Sequence, residues 1–441
     1  MEPLRVGLCG LGTVGQGVVR LLTGNASEIE RRAGRRIELV RVASRSAPRL
    51  DLKGVPFSTR VSDVTSDATV HAVVELIGGR DAAAAVWRDA IDAGKSVVSA
   101  NKALIAEQGE SLFARAGAAG LRVGFEAAVA GGIPIVKTLR EGLAANRIHW
   151  VAGIINGTSN FILSAMAQRG NGRPGANARP ETAFDEALAQ AQVLGYAEAD
   201  PTFDVEGIDA GHKLVILAAL AFGTGLSLEG IYTEGIGRIA LEDIDYAAAL
   251  GYRIKHLGIA RRSEAGVEIR VHPTLIPEHR MMAKVDGVMN AVVINSDAVG
   301  STLYYGPGAG SLPTASAVVA DLVDIARGDW VAPVTRDPGV VRLPMEAVTS
   351  AYYLRIPAED QPGVLAQVAQ ILSRHAISIE AVIQREQAIR SMGERRWVPV
   401  VILTHRVLER SMNAALAEIQ KLPEVVDRIT RIRVDALDDH A

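Results

Sequence analysis

The chain has 441 residues with 47 Lys plus Arg against 50 Asp plus Glu, a near balance that offers no basic field to nucleic acid or an anionic membrane and leaves small metabolites as partners. That length exceeds one ordinary core, so two or three domains are expected. The longest gapless apolar runs, Ala127 to Val136 and Leu214 to Phe222, fall short of the ~20 residues that span a bilayer, and no basic segment with a long apolar core opens the chain, so a cytoplasmic protein is expected.

Residues 1–135 alternate strand-like runs with helical stretches, at Arg5 to Cys9, Ile37 to Ala43, Ala72 to Ile77, Ser96 to Ser99 and Leu121 to Phe125. This rhythm predicts a parallel α/β, Rossmann-type dinucleotide-binding domain, completed by a helix near residues 313–328. Directly after the first strand, Gly10, Gly12 and Gly15 enclose Thr13 and Val14 in G-L-G-T-V-G. A tight turn and close backbone approach to a pyrophosphate need residues without side chains there, and the following helix offers its first amides to the phosphates. A packing turn would use the same glycines; the position between strand and helix favours the nucleotide. The second strand ends Ala43-Ser44-Arg45 instead of in a carboxylate. With no acid to repel a 2′-phosphate and an arginine to bind one, NADP is the expected cofactor; if Arg45 is merely exposed, NAD is accepted as well.

Residues 136–328 change pattern, with an alternating stretch at Ile148 to Ile155, helical stretches from Ala183 to Phe222 and strands such as Val267 to Val271, which predicts an α+β domain for substrate and dimerisation. Arg169 to Glu181, rich in Gly, Asn, Pro and Arg, reads as a surface loop or lid. Pro333, Pro338 and Pro344 mark a linker over 329–350. Residues 351–436 then follow a βαββαβ order: strand Tyr352 to Ile356, a helix with Val364, Leu365, Val368, Ile371 and Leu372 on one face, strands Ile377 to Ile383 and Val398 to Leu403, a helix carrying Met412, Leu416 and Ile419, and a strand ending at Ile432 and Val434.

Six blocks in order resemble homoserine dehydrogenases: Val73 to Gly79, Val97 to Leu104, Phe125 to Pro134, Gly153 to Leu163, Leu194 to Lys213 and Tyr304 to Ala317. The resemblance implies reversible NAD(P)-dependent interconversion of aspartate 4-semialdehyde and L-homoserine in threonine, methionine and isoleucine biosynthesis, by a homodimer or homotetramer. It also implies residue roles. Lys213 is the proton donor to the carbonyl oxygen and Lys102 a second essential lysine at the dinucleotide; Asp209 and Glu198 contact the substrate. Gly157, Thr158 and Tyr196 face nicotinamide or substrate, Gly195 faces the cofactor, and Gly306 and Gly308 pass its phosphates. Asp204 is a substrate contact or a helix cap. The carboxylate of Glu126 with the carbonyls of Val129, Gly131 and Ile133 resembles a monovalent-cation (Na or K) site, the alternative being a Gly-rich turn between domains. Residues Tyr352 to Ala366 and Ile377 to Gln384 resemble an ACT domain, which implies either a threonine effector near Asp360, Pro362, Gly363 and Gln384 or a module that only dimerises.

The chemistry supports these assignments. Hydride addition to an aldehyde leaves an alkoxide, so the site must supply a proton and a positive charge. Lys213 opens the apolar run Leu214 to Phe222, whose lack of a polar face predicts a buried helix, and Asp209 lies one turn earlier, placed to orient it. The sequence leaves open which lysine gives the proton. His212, His256, His272, His375 and His405 lack metal-ligand spacing and read as structural or exposed. A semialdehyde-oxidising dehydrogenase would need a nucleophilic cysteine in its catalytic domain, and the one cysteine, Cys9, is in the dinucleotide loop. Competing readings are a catalytically silent amino-acid sensor on a Rossmann scaffold, opposed by Lys102, Glu198, Asp209 and Lys213, and another Rossmann amino-acid dehydrogenase, disfavoured by the N-G-T and D-P-x-x-D blocks.

Overall fold

A computed structural model describes residues 2–170, 182–329, 332, 334–384, 390–392 and 395–438. Most of the predicted loop Arg169 to Glu181, and Pro333 in the predicted linker, lie outside the described residues.

The first sheet contains β1 (Leu4–Cys9), β2 (Ile37–Ala43), β3 (Phe57–Ser58), β4 (Ala72–Glu75), β5 (Ser96–Ser99) and β6 (Val123–Gly124). Every neighbouring pair is parallel, in the order β3-β2-β1-β4-β5-β6. The order reverses between β1 and β4, which opens the crevice at the carboxyl ends of the strands where dinucleotides bind. β4 and β5 are buried along their whole length, as strands covered by helices on both faces must be. The helix Ser311–Arg327 returns from the far end of the next domain to pack on the helix Thr13–Gly24. Gly17 allows this close crossing, because a Cβ there would stand 2.5 Å from the Ser311 carbonyl oxygen.

The second domain supplies β7 (Ile148–Ile154), β8 (Tyr232–Thr233), β9 (Tyr252–Ser263), β10 (Gly266–Pro277), β11 (Met289–Ser296) and β12 (Gly300–Pro307). The third supplies β13 (Thr349–Glu359), β14 (Ile379–Gln384), β15 (Arg390–Met392), β16 (Arg395–Thr404), β17 (Val407–Leu408) and β18 (Thr430–Val434). Within it the order β18-β13-β16-β14, with helices Val364–Arg374 and Glu409–Ile419 against one face, is the ferredoxin-like arrangement of a βαββαβ chain. Of the helix faces anticipated from sequence, Val364, Val368, Ile371, Leu372, Met412 and Ile419 are buried and Leu416 is half-buried, whereas Leu365, one residue round from Val364, points outward and is exposed.

Two features differ from a simple string of domains. β10 and β18 pair in parallel, Thr274 with Arg433 and Leu275 with Val434, so one twelve-stranded sheet runs through both later domains. Tyr353, Leu403 and Ile432 share a core with Tyr246, Ile244 and Leu275 across that junction. The segment read as a linker is tied down as well: Val267 exchanges backbone hydrogen bonds with Val341 and Leu343 at 2.8 and 2.9 Å, and Arg342 donates to the carbonyls of Gly225, Ser227 and Glu229. Prolines removed the periodicity that would have revealed this strap.

Candidate active site

The glycine loop is a tight turn between the first strand and the first helix. Gly10 takes φ +103°, which a side chain disfavours, and its N–H donates to the Ala43 carbonyl at the end of β2. A Cβ on Gly15 would strike the Gly10 carbonyl, whereas a Cβ on Gly12 would meet nothing within 4 Å. Gly10 and Gly15 therefore close the turn on itself, and Gly12 leaves an open cradle before the helix that begins at Thr13. A cleft of about 390 Å³ runs from Gly12, Thr13 and Val14 past Glu75 and Gly78 to Asn101, Lys102 and Phe203. Arg45 is exposed just beyond β2. Cys9 is buried, and burial followed by the charge of Glu75 pushes its thiol up to about 12, which leaves it protonated and inert as a nucleophile.

On the other side of the cleft stands the helix Ile208–Phe222, entered through Gly207 at φ +81° and buried on nearly all sides, as its run of apolar residues requires. Asp209 in its first turn is 4% exposed. One of its oxygens, Oδ2, accepts from Lys213 Nζ at 2.7 Å, while Oδ1 lies 3.0 Å from Lys102 Nζ. Lys213 belongs to the second domain and Lys102 to the first, so one carboxylate clamps an ammonium group from each. Burial by itself would raise the Asp209 carboxyl, but Lys213 and Lys102 overcome it and hold the group well below the usual carboxylate range. Lys213 Nζ also donates to the Ile155 carbonyl at 2.7 Å, which leaves its third hydrogen for a ligand oxygen.

Asn156 completes the cluster and was not singled out from the sequence. Its amide donates to Asp209 Oδ2 at 2.9 Å and to Asp204 Oδ1 at 2.7 Å, and its Oδ1 accepts from the Ser159 N–H at the start of the helix Gly157–Gly170. Asp204 lies inside the short helix Thr202–Val205 and not at its N-cap, so the capping alternative is corrected. Burial, and then the neighbouring Asp209, push its carboxyl upward against the Asn156 hydrogen bond. The other missed residue is Phe203, whose ring centre is 5.9 Å from Lys102 Nζ and 5.3 Å from the His212 ring. His212 is buried against Phe203 and Glu107 on a different face of the helix from Lys213.

The remaining predicted residues divide. Thr158 donates to the Tyr196 carbonyl at 2.7 Å, which sets the turn containing Gly195, at φ +75°, beside the helix Gly157–Gly170. Gly157 is tight against the Val288 carbonyl. Glu198 is exposed, and no described ion pair or side-chain hydrogen bond joins it to Asp209, Lys213 or Lys102. Gly308 sits under the Asn290 carboxamide and Gly306 faces Ile133, so packing alone requires glycine at Gly308. Glu126 is buried, and its two oxygens accept the Val136 and Lys137 amides at 2.9 and 2.8 Å. Burial pushes it up to about 7, and its own N–H donates to the buried Asp321. Ala130 and Gly131 both take left-handed φ, turning this loop toward Gly308 beyond Val129 and ahead of Ile133. In the third domain Asp360, Pro362, Gly363 and Gln384 are all exposed, the last at the end of edge strand β14. Among the described residues no group of three or more His, Cys, Asp or Glu is placed to hold a metal ion, and no helix is long and apolar enough to cross a membrane.

A doubly wound crevice, an open glycine cradle and a paired lysine cluster facing it define a dinucleotide-dependent oxidoreductase with an appended ferredoxin-like module. Residues 10–126 match the homoserine dehydrogenase NAD-binding domain, residues 134–323 the homoserine dehydrogenase catalytic domain and residues 352–424 an ACT domain. The chain is 54% identical to the homoserine dehydrogenase of Pseudomonas aeruginosa over 448 aligned residues, covering 99% of this chain and 100% of that one. It is 49% identical to that of Neisseria gonorrhoeae, with both chains fully covered. A solved homoserine dehydrogenase from Thiobacillus denitrificans superposes with a TM-score of 0.90 at 54% identity, covering 99% of each chain. The chain belongs to the homoserine dehydrogenase family, the NAD(P)-dependent oxidoreductases that its sequence resembles.

Proposed function

We propose that the chain interconverts L-aspartate 4-semialdehyde and L-homoserine, with Lys213 as the proton donor, Lys102 as the second cation and Asp209 as the group that fixes both. The observation that carries this is the Lys213–Asp209–Lys102 contact across the domain boundary, at the rim of the dinucleotide cleft. When bound, the nicotinamide supplies the hydride in reduction and accepts it in oxidation. In reduction the aldehyde oxygen gains negative charge as its carbon is attacked, and the free N–H of Lys213 neutralises it by proton transfer. Asp209, charged throughout the physiological range, holds Lys213 Nζ in place and balances its charge. In oxidation Lys213 takes the hydroxyl proton back. Asp204 and Glu198 hold the substrate ammonium group, Glu198 reaching it only if the turn at Gly195 moves inward, while Gly157, Thr158 and Tyr196 frame the pocket.

NADP is preferred over NAD because Arg45, free of a described ion-pair partner, follows a strand that ends without a carboxylate. Gly10, Gly12, Thr13, Val14, Gly15 and Ala43 hold the dinucleotide, with Gly195, Gly306 and Gly308 lining its path. A monovalent cation binds at Glu126 with the carbonyls of Val129, Gly131 and Ile133; the buried carboxyl pair Glu126 and Asp321 supports this, since a cation would favour ionisation there. The ACT domain binds threonine near Asp360, Pro362, Gly363 and Gln384, a surface that a second copy could close. The enzyme works in the cytoplasm as a homodimer or homotetramer, and edge strand β12, with Leu303 and Tyr305 exposed, supports self-association. Homoserine-dependent reduction of NADP and NAD, followed spectrophotometrically, tests the reading: turnover with a lower KM for NADP is expected, and no turnover with either cofactor would overturn it.

A further inference from the structure

A cleft of about 1010 Å³ lies where the second and third domains meet and is separate from the dinucleotide crevice. Its volume reaches the upper end of the ~300–1,000 Å³ range of small-molecule sites. Most charged groups at this junction are committed to one another. Arg355 Nε is 2.6 Å from Asp243, Arg431 Nη1 is 2.8 Å from Glu409, and the buried Arg433 bridges Glu409 and Glu234. Four charges on the cleft wall have no described ion-pair partner: Arg238 and Glu206 from the second domain, and Arg428 and Asp427 from the third, the Asp427 carboxylate accepting only the Arg428 backbone N–H at 2.6 Å. Two free cations, one from each domain, therefore face a common space with the carboxylates of Glu206 and Asp427, and Ile239, Leu416 and Ile429 supply apolar wall between them.

The geometry points to a binding site for a free α-amino acid, its carboxylate between Arg238 and Arg428, its ammonium on Glu206 and its side chain against Ile239 and Leu416. Guanidinium groups suit a carboxylate, and the Glu206 carboxylate, which has no described partner where Asp427 caps the Arg428 N–H, suits an ammonium group. A ligand holding Arg238 and Arg428 together would draw the two domains toward each other. It would also act on the active site. Glu206 immediately precedes Gly207 and the helix that carries Asp209 and Lys213, and the Ile236 N–H donates to the Val205 carbonyl at 3.0 Å, so the wall of the cleft and the entry to the catalytic helix are joined by backbone. This site goes beyond the dehydrogenase reading and beyond the Asp360 to Gly363 turn, and its test is independent of both.

The test is isothermal calorimetry on the full chain, without dinucleotide or homoserine, titrating each proteinogenic L-α-amino acid at millimolar concentration. At least one is expected to bind, with affinity reduced tenfold or more, about 1.4 kcal/mol, in Arg238→Gln and again in Arg428→Gln, and unchanged in Asp360→Ala. Glu206→Gln is expected to weaken that amino acid while leaving the matching α-hydroxy acid unaffected, since only the former carries an ammonium group. All three side chains are exposed, so the variants fold. The inference is overturned if no amino acid gives heat, if both arginine variants bind as the parent does, or if only Asp360→Ala abolishes binding. Because no turnover is measured, failure here leaves the dehydrogenase reading standing.

Discussion

Replacing Asp209 by Asn removes the one charge that holds Lys213 and Lys102 together. At an effective dielectric of about 20, unit charges 2.7 and 3.0 Å apart attract by roughly 6 kcal/mol each before desolvation is counted. The Lys102 share is discounted because its side chain is 33% exposed. What remains is the cost of leaving buried charge unpaired, about 3–5 kcal/mol. For a domain of this size each kcal/mol lowers the melting temperature by about 2–4 °C, so a loss of roughly 6–20 °C is expected. Two ammonium groups facing a neutral amide also repel, and Lys213 loses the partner that orients it toward the carbonyl oxygen, so kcat should fall by about 10²-fold or more. The assay is thermal melting with steady-state homoserine oxidation, both across pH. Because Asp209 is held below its ordinary value of about 3.9, its stabilisation is complete above that pH and is lost only as pH falls through the depressed value. Asp209→Asn should flatten that acid limb. A variant that melts and turns over as the parent does would refute the reasoning.

Two glycines separate cofactor contact from folding. Gly12→Ala should keep the melting temperature and weaken dinucleotide binding by tenfold or more, whereas Gly15→Ala, whose Cβ strikes the Gly10 carbonyl, should lower both; fluorescence titration and melting distinguish them. Arg45→Ala should raise the KM for NADP about tenfold and leave that for NAD nearly unchanged, measured at saturating homoserine. Glu126 is pushed up to about 7, so its contribution to stability is complete below the unfolded value of about 4.3 and is lost as pH rises through 7. Glu126→Gln should remove that decline in potassium-free melting curves, and a cation at this site should shift the decline in the parent to lower pH.

The parts of the fold and site that were legible in the sequence are those with local signatures. Three glycines at fixed spacing announce the phosphate turn, and Asp209 and Lys213 stand one helical turn apart at the head of an apolar run. The approach of Lys102 to Asp209 depends on how two domains close on each other, and the sequence did not show it: the family resemblance named Lys102 as a second essential lysine but not its contact with Asp209. Asn156 escaped notice because a neutral amide carries no charge or periodicity, although it lay within the N-G-T block. Glu198 had the right chemistry for an ammonium group but is exposed, with no described ion pair or side-chain hydrogen bond to the cluster. The joining of β10 to β18 rests on two register pairs, too short a contact to leave a pattern in the sequence, and it buries Arg433 in the domain junction.

The central claim is that Lys213 transfers the proton. Its most direct test is kcat and KM for homoserine oxidation by Lys213→Ala beside the parent chain. The account predicts that kcat falls by about 10²–10⁴-fold while the homoserine KM changes little, because the lost interaction belongs to the transition state. Parent-like kcat in a folded Lys213→Ala would contradict it.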